Sequence, residues 1–110
     1  MMMAFDKYLL KKDNLLKRRI EIDSSLYQEL AKLTDIYDAS INKLVNIAII
    51  DLIENEKNIK IYERPENEIS ESHNFAIRAS SYAKMEKLRD KYGLSIYKLT
   101  NIAIYNALND

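Results

Sequence analysis

The chain has 110 residues, a length suited to one domain, with 17 basic and 17 acidic side chains, no cysteine, one glycine and one proline. Without cysteine there is neither a disulfide framework nor a thiolate metal site, and a reducing cytoplasm is the expected compartment. So few turn residues beside many Ile, Leu, Lys and Tyr exclude sandwiches and barrels and imply a mostly helical fold.

The zero net charge hides an uneven layout. Residues 6–19 carry net +4, residues 20–50 net −3, residues 51–71 net −4 and residues 72–110 net +3. A basic arm and an acidic linker are therefore expected rather than a neutral surface.

Residues 1–16 form an N-terminal arm in which Phe5, Tyr8, Leu9, Leu15 and Leu16 suggest an extra short helix. Asp6, Lys7, Lys11 and Lys12 interrupt its apolar residues, so no signal peptide or membrane span is expected there.

Next comes a short alternating run, Arg19-Ile20-Glu21-Ile22, whose period of two predicts a strand with one apolar face. Ser25 followed by Gln28 resembles a capping box, and Leu26, Leu30, Leu33 and Tyr37 recur on one face of a first helix. After a break at Asp38-Ala39, Ser40 is a good N-cap for a second helix whose apolar face is Ile41, Leu44, Val45, Ala48, Ile49 and Leu52. The stretch Leu44–Ile50 is apolar almost all round, as in a helix buried within an assembly. Residues 56–71 read as an acidic linker around Pro65, in which Ile59-Lys60-Ile61-Tyr62 alternates like a further strand.

The chain then repeats itself. SINKLVNIAI at residues 40–49 and SIYKLTNIAI at residues 95–104 share eight of ten residues at an offset of 55. The same offset matches Tyr37 with Tyr92, Leu33 with Leu88, Tyr27 with Tyr82, Ile22 with Ile77 and Ile20 with Phe75, so the duplication covers residues 19–55 and 74–110. Asn74-Phe75-Ala76-Ile77 is the second strand, Ser80 the second cap candidate, and Gly93-Leu94 the second interhelix break. A strand, helix, helix unit of this size cannot bury enough surface alone, so residues 17–55 and 72–110 are expected to share one core. Antiparallel pairing would place Ile20, Ile22, Phe75 and Ile77 against four helices and leave the other face of the ribbon outward.

That order of elements resembles the ribbon-helix-helix (Arc/MetJ/CopG-like) DNA-binding family. With both halves in one chain, as an intramolecular pseudo-dimer, it is similar to the tandem-repeat relaxosome accessory proteins of conjugative plasmids. The resemblance covers about two thirds of the chain and implies a ribbon inserted in the DNA major groove. It implies base contacts from Lys17, Arg19 and Glu21 in the first strand and from Ser72, Asn74, Ala76 and Arg78 in the second, which reads unlike half-sites. It also implies phosphate contacts from Ser40, Asn42, Lys43, Ser95, Tyr97 and Lys98 at the second-helix N-termini, and from Arg18. Arg18 and His73 occupy positions where an apolar residue would better suit the inward face.

The implied function is sequence-specific binding of double-stranded DNA, as a transcriptional repressor or as a transfer-origin accessory protein. Self-association on DNA and contact with a relaxase or other protein are the further partner expectations, and no membrane is expected. The alternative is a helical protein-interaction module, including an antitoxin-like role, in which Lys43, Lys98 and the Lys17-Arg18-Arg19 cluster are ordinary solvated charge. Tyr27, Tyr37, Tyr82 and Tyr92 are expected to pack in the core rather than stack on bases. No nucleophile with a base, carboxylate pair or glycine-rich loop is recognisable, so no enzyme, cofactor or catalytic residue is expected. His73, the only histidine, with Glu68 and Glu71 nearby, is not expected to hold a metal.

Overall fold

The structure is a computed structural model, and it describes residues 14–110. Strand β1 (Leu15–Asp23) runs directly into helix α1 (Ser24–Tyr37), and helix α2 (Ile41–Glu54) follows. A 3-10 turn over Glu56–Asn58 opens an irregular connection to strand β2 (Ser70–Arg78), which leads into helices α3 (Ala79–Tyr92) and α4 (Ile96–Leu108). The two strands make one antiparallel sheet, so the architecture is mainly α with a β-ribbon. Most of the arm on which a short helix is expected lies outside the described residues. Leu15 and Leu16 belong to β1 instead.

Each strand has nine residues, longer than the four that alternation marks. In the observed register Leu16, Arg18, Ile20 and Ile22 alternate on one face of β1, and Glu71, His73, Phe75 and Ile77 do so on β2. Arg18 and His73 break the apolar pattern, but each has a tyrosine to lie on. The Arg18 guanidinium sits 4.9 Å from the Tyr82 ring centroid, and the His73 ring stacks on Tyr27 at 3.9 Å. Arg18 and His73 are the same position of the repeat, as are Tyr27 and Tyr82, so one packing device serves both strands. Sequence alternation detects only the half of a strand whose inward residues are apolar. Ladder hydrogen bonds continue wherever the backbone stays extended.

The first-helix caps differ from expectation. The N-caps of α1 and α3 are Asp23 and Arg78, neither of which makes a side-chain cap hydrogen bond, so Ser25 and Ser80 are not caps. The first free amides are taken up by distant chain. Ser24 N donates to Ile69 O at 2.8 Å, Ser25 N donates to the Glu68 carboxylate at 2.8 Å, and Ala79 N donates to Asn14 O at 2.7 Å. The second-helix caps are as expected: Ser40 Oγ accepts from Lys43 N and Ser95 Oγ from Lys98 N, both at 3.1 Å.

The core lies between the ribbon and the helices, with Ile22, Ile77, Val45, Ile49, Met85 and Ile104 fully buried. Burying each aliphatic side chain of this size contributes about 1.5–3 kcal/mol. Helices α2 and α4 pack on each other, and each supports the strand of the opposite repeat, α2 against β2 and α4 against β1. Leu26, Leu30, Met85 and Leu88 are buried along the first helices, with Tyr27 and Tyr82 packed at the core edge. Tyr37 and Tyr92, expected in the core, are 65% and 47% exposed at the last residues of α1 and α3, and the Tyr92 hydroxyl donates to the Glu56 carboxylate.

The segment Ile59–Tyr62 is not a strand. Its backbone pairs with a side chain: Lys60 N donates to Asn106 Oδ1 at 2.6 Å, and Asn106 Nδ2 donates to Lys60 O at 3.0 Å. Tyr62 packs its ring on Tyr105 at 5.1 Å. The linker thus lies across the outer side of α4. On α2, Ile47 is 50% exposed. No helix among the described residues is long and apolar enough to cross a membrane.

Candidate nucleic-acid interface

The outward face of the ribbon is set by the register. Lys17 pairs with Ala76, Arg19 with Asn74 and Glu21 with Ser72, and all six point away from the buried Ile20, Ile22, Phe75 and Ile77. Lys17, Arg19, Glu21, Ser72, Asn74 and Arg78 are exposed, and Ala76 is half-buried. The residues expected to contact bases therefore share one surface, with Arg78 at its edge. Its central pair, Arg19 and Asn74, stand at equivalent repeat positions.

Two asparagines hold the ribbon on the helices in matching ways. Asn101 Oδ1 accepts from Asp23 N at 2.8 Å, and its Nδ2 donates to Glu21 O at 3.0 Å. One offset away, Asn46 Oδ1 accepts from Arg78 N at 3.1 Å, and its Nδ2 donates to Ala76 O at 2.9 Å. Each repeat's second helix thus satisfies backbone groups at the end of the other repeat's strand, of which the Asp23 amide is buried. Periodicity and motif spacing do not single out these asparagines. A signal is nonetheless present: an amide inside the apolar stretch Leu44–Ile50 that recurs at the same place in the second copy.

Two grooves flank the ribbon where these helices begin. One, about 670 Å³, is lined by Lys17, Arg18, Arg19, Asn42, Asn74, Phe75 and Ala76. The other, about 380 Å³, is lined by Arg19, Ile20, Glu21, Ser72, Tyr82, Ile96 and Tyr97. Lys43 and Lys98 are exposed in the first turns of α2 and α4, beside the caps Ser40 and Ser95. Two residues expected at phosphates are occupied otherwise. Asn42 Oδ1 accepts from Ala76 N at 2.8 Å and its Nδ2 donates to Ala76 O at 3.1 Å, while the Tyr97 hydroxyl donates to Asp23 at 2.8 Å. Both are drawn to ribbon groups whose burial makes an unmade hydrogen bond costly.

Asp23 is fully buried and is the most heavily bonded carboxylate among the described residues. It accepts from the Tyr62 hydroxyl at 2.6 Å, Ser70 Oγ at 2.7 Å, the Tyr97 hydroxyl at 2.8 Å and Arg64 Nε at 3.2 Å. Burial alone would push this carboxyl up, but the donated hydrogen bonds from Tyr62, Ser70, Tyr97 and Arg64 outweigh it and hold the group below the usual carboxylate range. Burial and the neighbouring Asp23 carboxylate push the Tyr62 hydroxyl well above its ordinary value, so it remains a donor. This cluster fastens the linker to the end of β1. Its counterpart at the other ribbon end is the exposed Arg78. No local pattern in the sequence marks its donors, which come from three separate segments.

The imidazole of His73 stacks on Tyr27, lies 3.8 Å from Glu71 and lacks a hydrogen-bond partner at Nε2. Among the described residues no group of three or more His, Asp or Glu is placed to hold a metal ion. Comparison of the chain with protein-family models, with characterised proteins and with solved structures finds no match.

Proposed function

We propose that the chain is a single-chain ribbon-helix-helix pseudo-dimer that binds double-stranded DNA, with the outward face of the ribbon in the major groove. The observation that carries this reading is the central pairing of Arg19 with Asn74. An antiparallel ladder centred on two equivalent positions has the local two-fold character of a symmetric dimer, and the matching Asn46 and Asn101 hydrogen bonds extend that relation to the helices. A two-stranded ribbon fits the width of the major groove, and its exposed side chains are of the types that read base edges. Arg19 suits guanine O6 and N7, Asn74 suits adenine N6 and N7, and Glu21 suits cytosine N4. Lys43, Lys98 and Arg18 supply sequence-independent phosphate contacts. In the cell this activity serves repression of transcription or assembly at a plasmid transfer origin, and the neighbouring reading frames distinguish the two, since a relaxase gene beside this one favours transfer.

The test is selection from random duplexes at moderate salt, followed by binding measurements across a salt series. An enriched site, with affinity falling steeply as salt rises, is the expected result. No enrichment, together with salt-insensitive behaviour, would leave the helical interaction module as the better description.

A further inference from the structure

The register divides the ribbon's charge into two opposite ends. On one side of the Arg19–Asn74 pair lie Lys17, Arg18 and Arg78, net +3, with no acidic residue in either strand segment. On the other side lie Glu21, Asp23 and Glu71, net −3, with no Lys or Arg in either segment. Arg64 from the linker matches Asp23 at 3.2 Å and the His73 imidazole lies 3.8 Å from Glu71; Glu21 and Glu71 are both exposed, Glu21 on the outward face and Glu71 on the face that carries His73. Lys17 and Glu21 stand four residues apart, about 13 Å at the rise of an extended strand. That exceeds a Debye length of about 8 Å at physiological salt, so the two ends act on a polyanion separately and do not cancel.

We infer that the ribbon seats on its duplex in one fixed orientation, with Lys17 and Arg78 turning to phosphates beside Lys43 at one end, whereas at the other end Glu21 and Glu71 oppose the phosphate contact of Lys98. This deepens the DNA-binding reading and rests on it. A phosphate is attracted to the first groove by Lys17 and Arg18. It meets Glu21 and a Tyr97 hydroxyl already committed to Asp23 in the second. The preferred target is a nonpalindromic duplex, and more of the charge contacts fall on the Lys17 side of the Arg19 contact than on the Glu21 side.

The chain has no cysteine, so single cysteines carry a tethered iron chelate to known places. Asn14→Cys and Ile69→Cys occupy equivalent exposed positions just before β1 and β2, one at each ribbon end. On the selected duplex, each conjugate is expected to cut on one side only, and the two on opposite sides. In parallel, Lys17→Gln with Arg78→Gln is expected to lower the salt slope by about 2 and weaken binding about tenfold or more, whereas Glu21→Gln with Glu71→Gln leaves the slope unchanged and tightens binding. Equal cutting on both sides by each conjugate, or weaker binding by the glutamate double variant, overturns the fixed orientation while DNA binding stands. Failure of the unmodified chain to bind any duplex removes both together.

Discussion

Arg19 lies directly opposite Asn74 in the ribbon, and the two are the same position of the internal repeat, 55 residues apart. An antiparallel pairing has only one place where a position can face its own copy, and here that place holds a guanidinium and an amide instead of two like side chains. The centre of the ribbon is therefore not two-fold symmetric in its side chains. Arg19→Ala is expected to cost about 1–3 kcal/mol at one base pair and to relax preference there alone, read by competition among duplexes that differ at single positions.

The ribbon depends on Asn101 and Asn46 for its attachment. Asn101→Leu leaves the Asp23 amide and the Glu21 carbonyl without their partner, at about 1–3 kcal/mol for each buried group left unpaired. Asn46→Leu is expected to cost less, because Asn42 still bonds both backbone groups of Ala76. Denaturant unfolding of the two variants, compared at equal slope, measures the difference.

Asp23 links stability to pH. Its carboxyl is held below the usual range in the folded chain, so its contribution is present above the unfolded value of about 3.9 and is lost as pH falls through the lower folded value. Asp23→Asn keeps the shape but removes the charge, and is expected to lower stability at pH 7 by about 1–3 kcal/mol. It also flattens the acid limb of a plot of unfolding free energy against pH. An unchanged acid limb would mean that other carboxylates govern acid unfolding.

The interhelix breaks offer an internal control. Gly93 and Asp38 occupy the same repeat position, both left-handed, at φ 67° and φ 48°. A side chain at Gly93 would meet nothing within 4 Å, so only backbone strain opposes one. Asp38→Gly is expected to raise stability by about 0.5–1 kcal/mol, and Gly93→Ala to lower it by about 1 kcal/mol, as read from thermal unfolding.

Much of the scaffold is legible in the sequence. Repeated apolar spacing marks all four helices, Ser40 and Ser95 mark where α2 and α4 begin, and alternation marks the centre of each strand, because these signals come from neighbours within a few residues. The outward ribbon residues follow from the same alternation. The strand ends do not, since Arg18 and His73 interrupt the apolar pattern and the tyrosines that accommodate them belong to the opposite repeat.

Duplication and periodicity are local, countable properties, and from them comes the expectation that two copies of a strand, helix, helix unit share a core. What joins the copies is settled in three dimensions alone. Asp23 draws donors from as far as Tyr97, 74 residues away, and Glu68 serves the amide of Ser25 from 43 residues away. The separation of charge along each strand is visible in its own sequence, but the antiparallel register decides that Arg78 joins the basic start of β1 and Glu71 its acidic end.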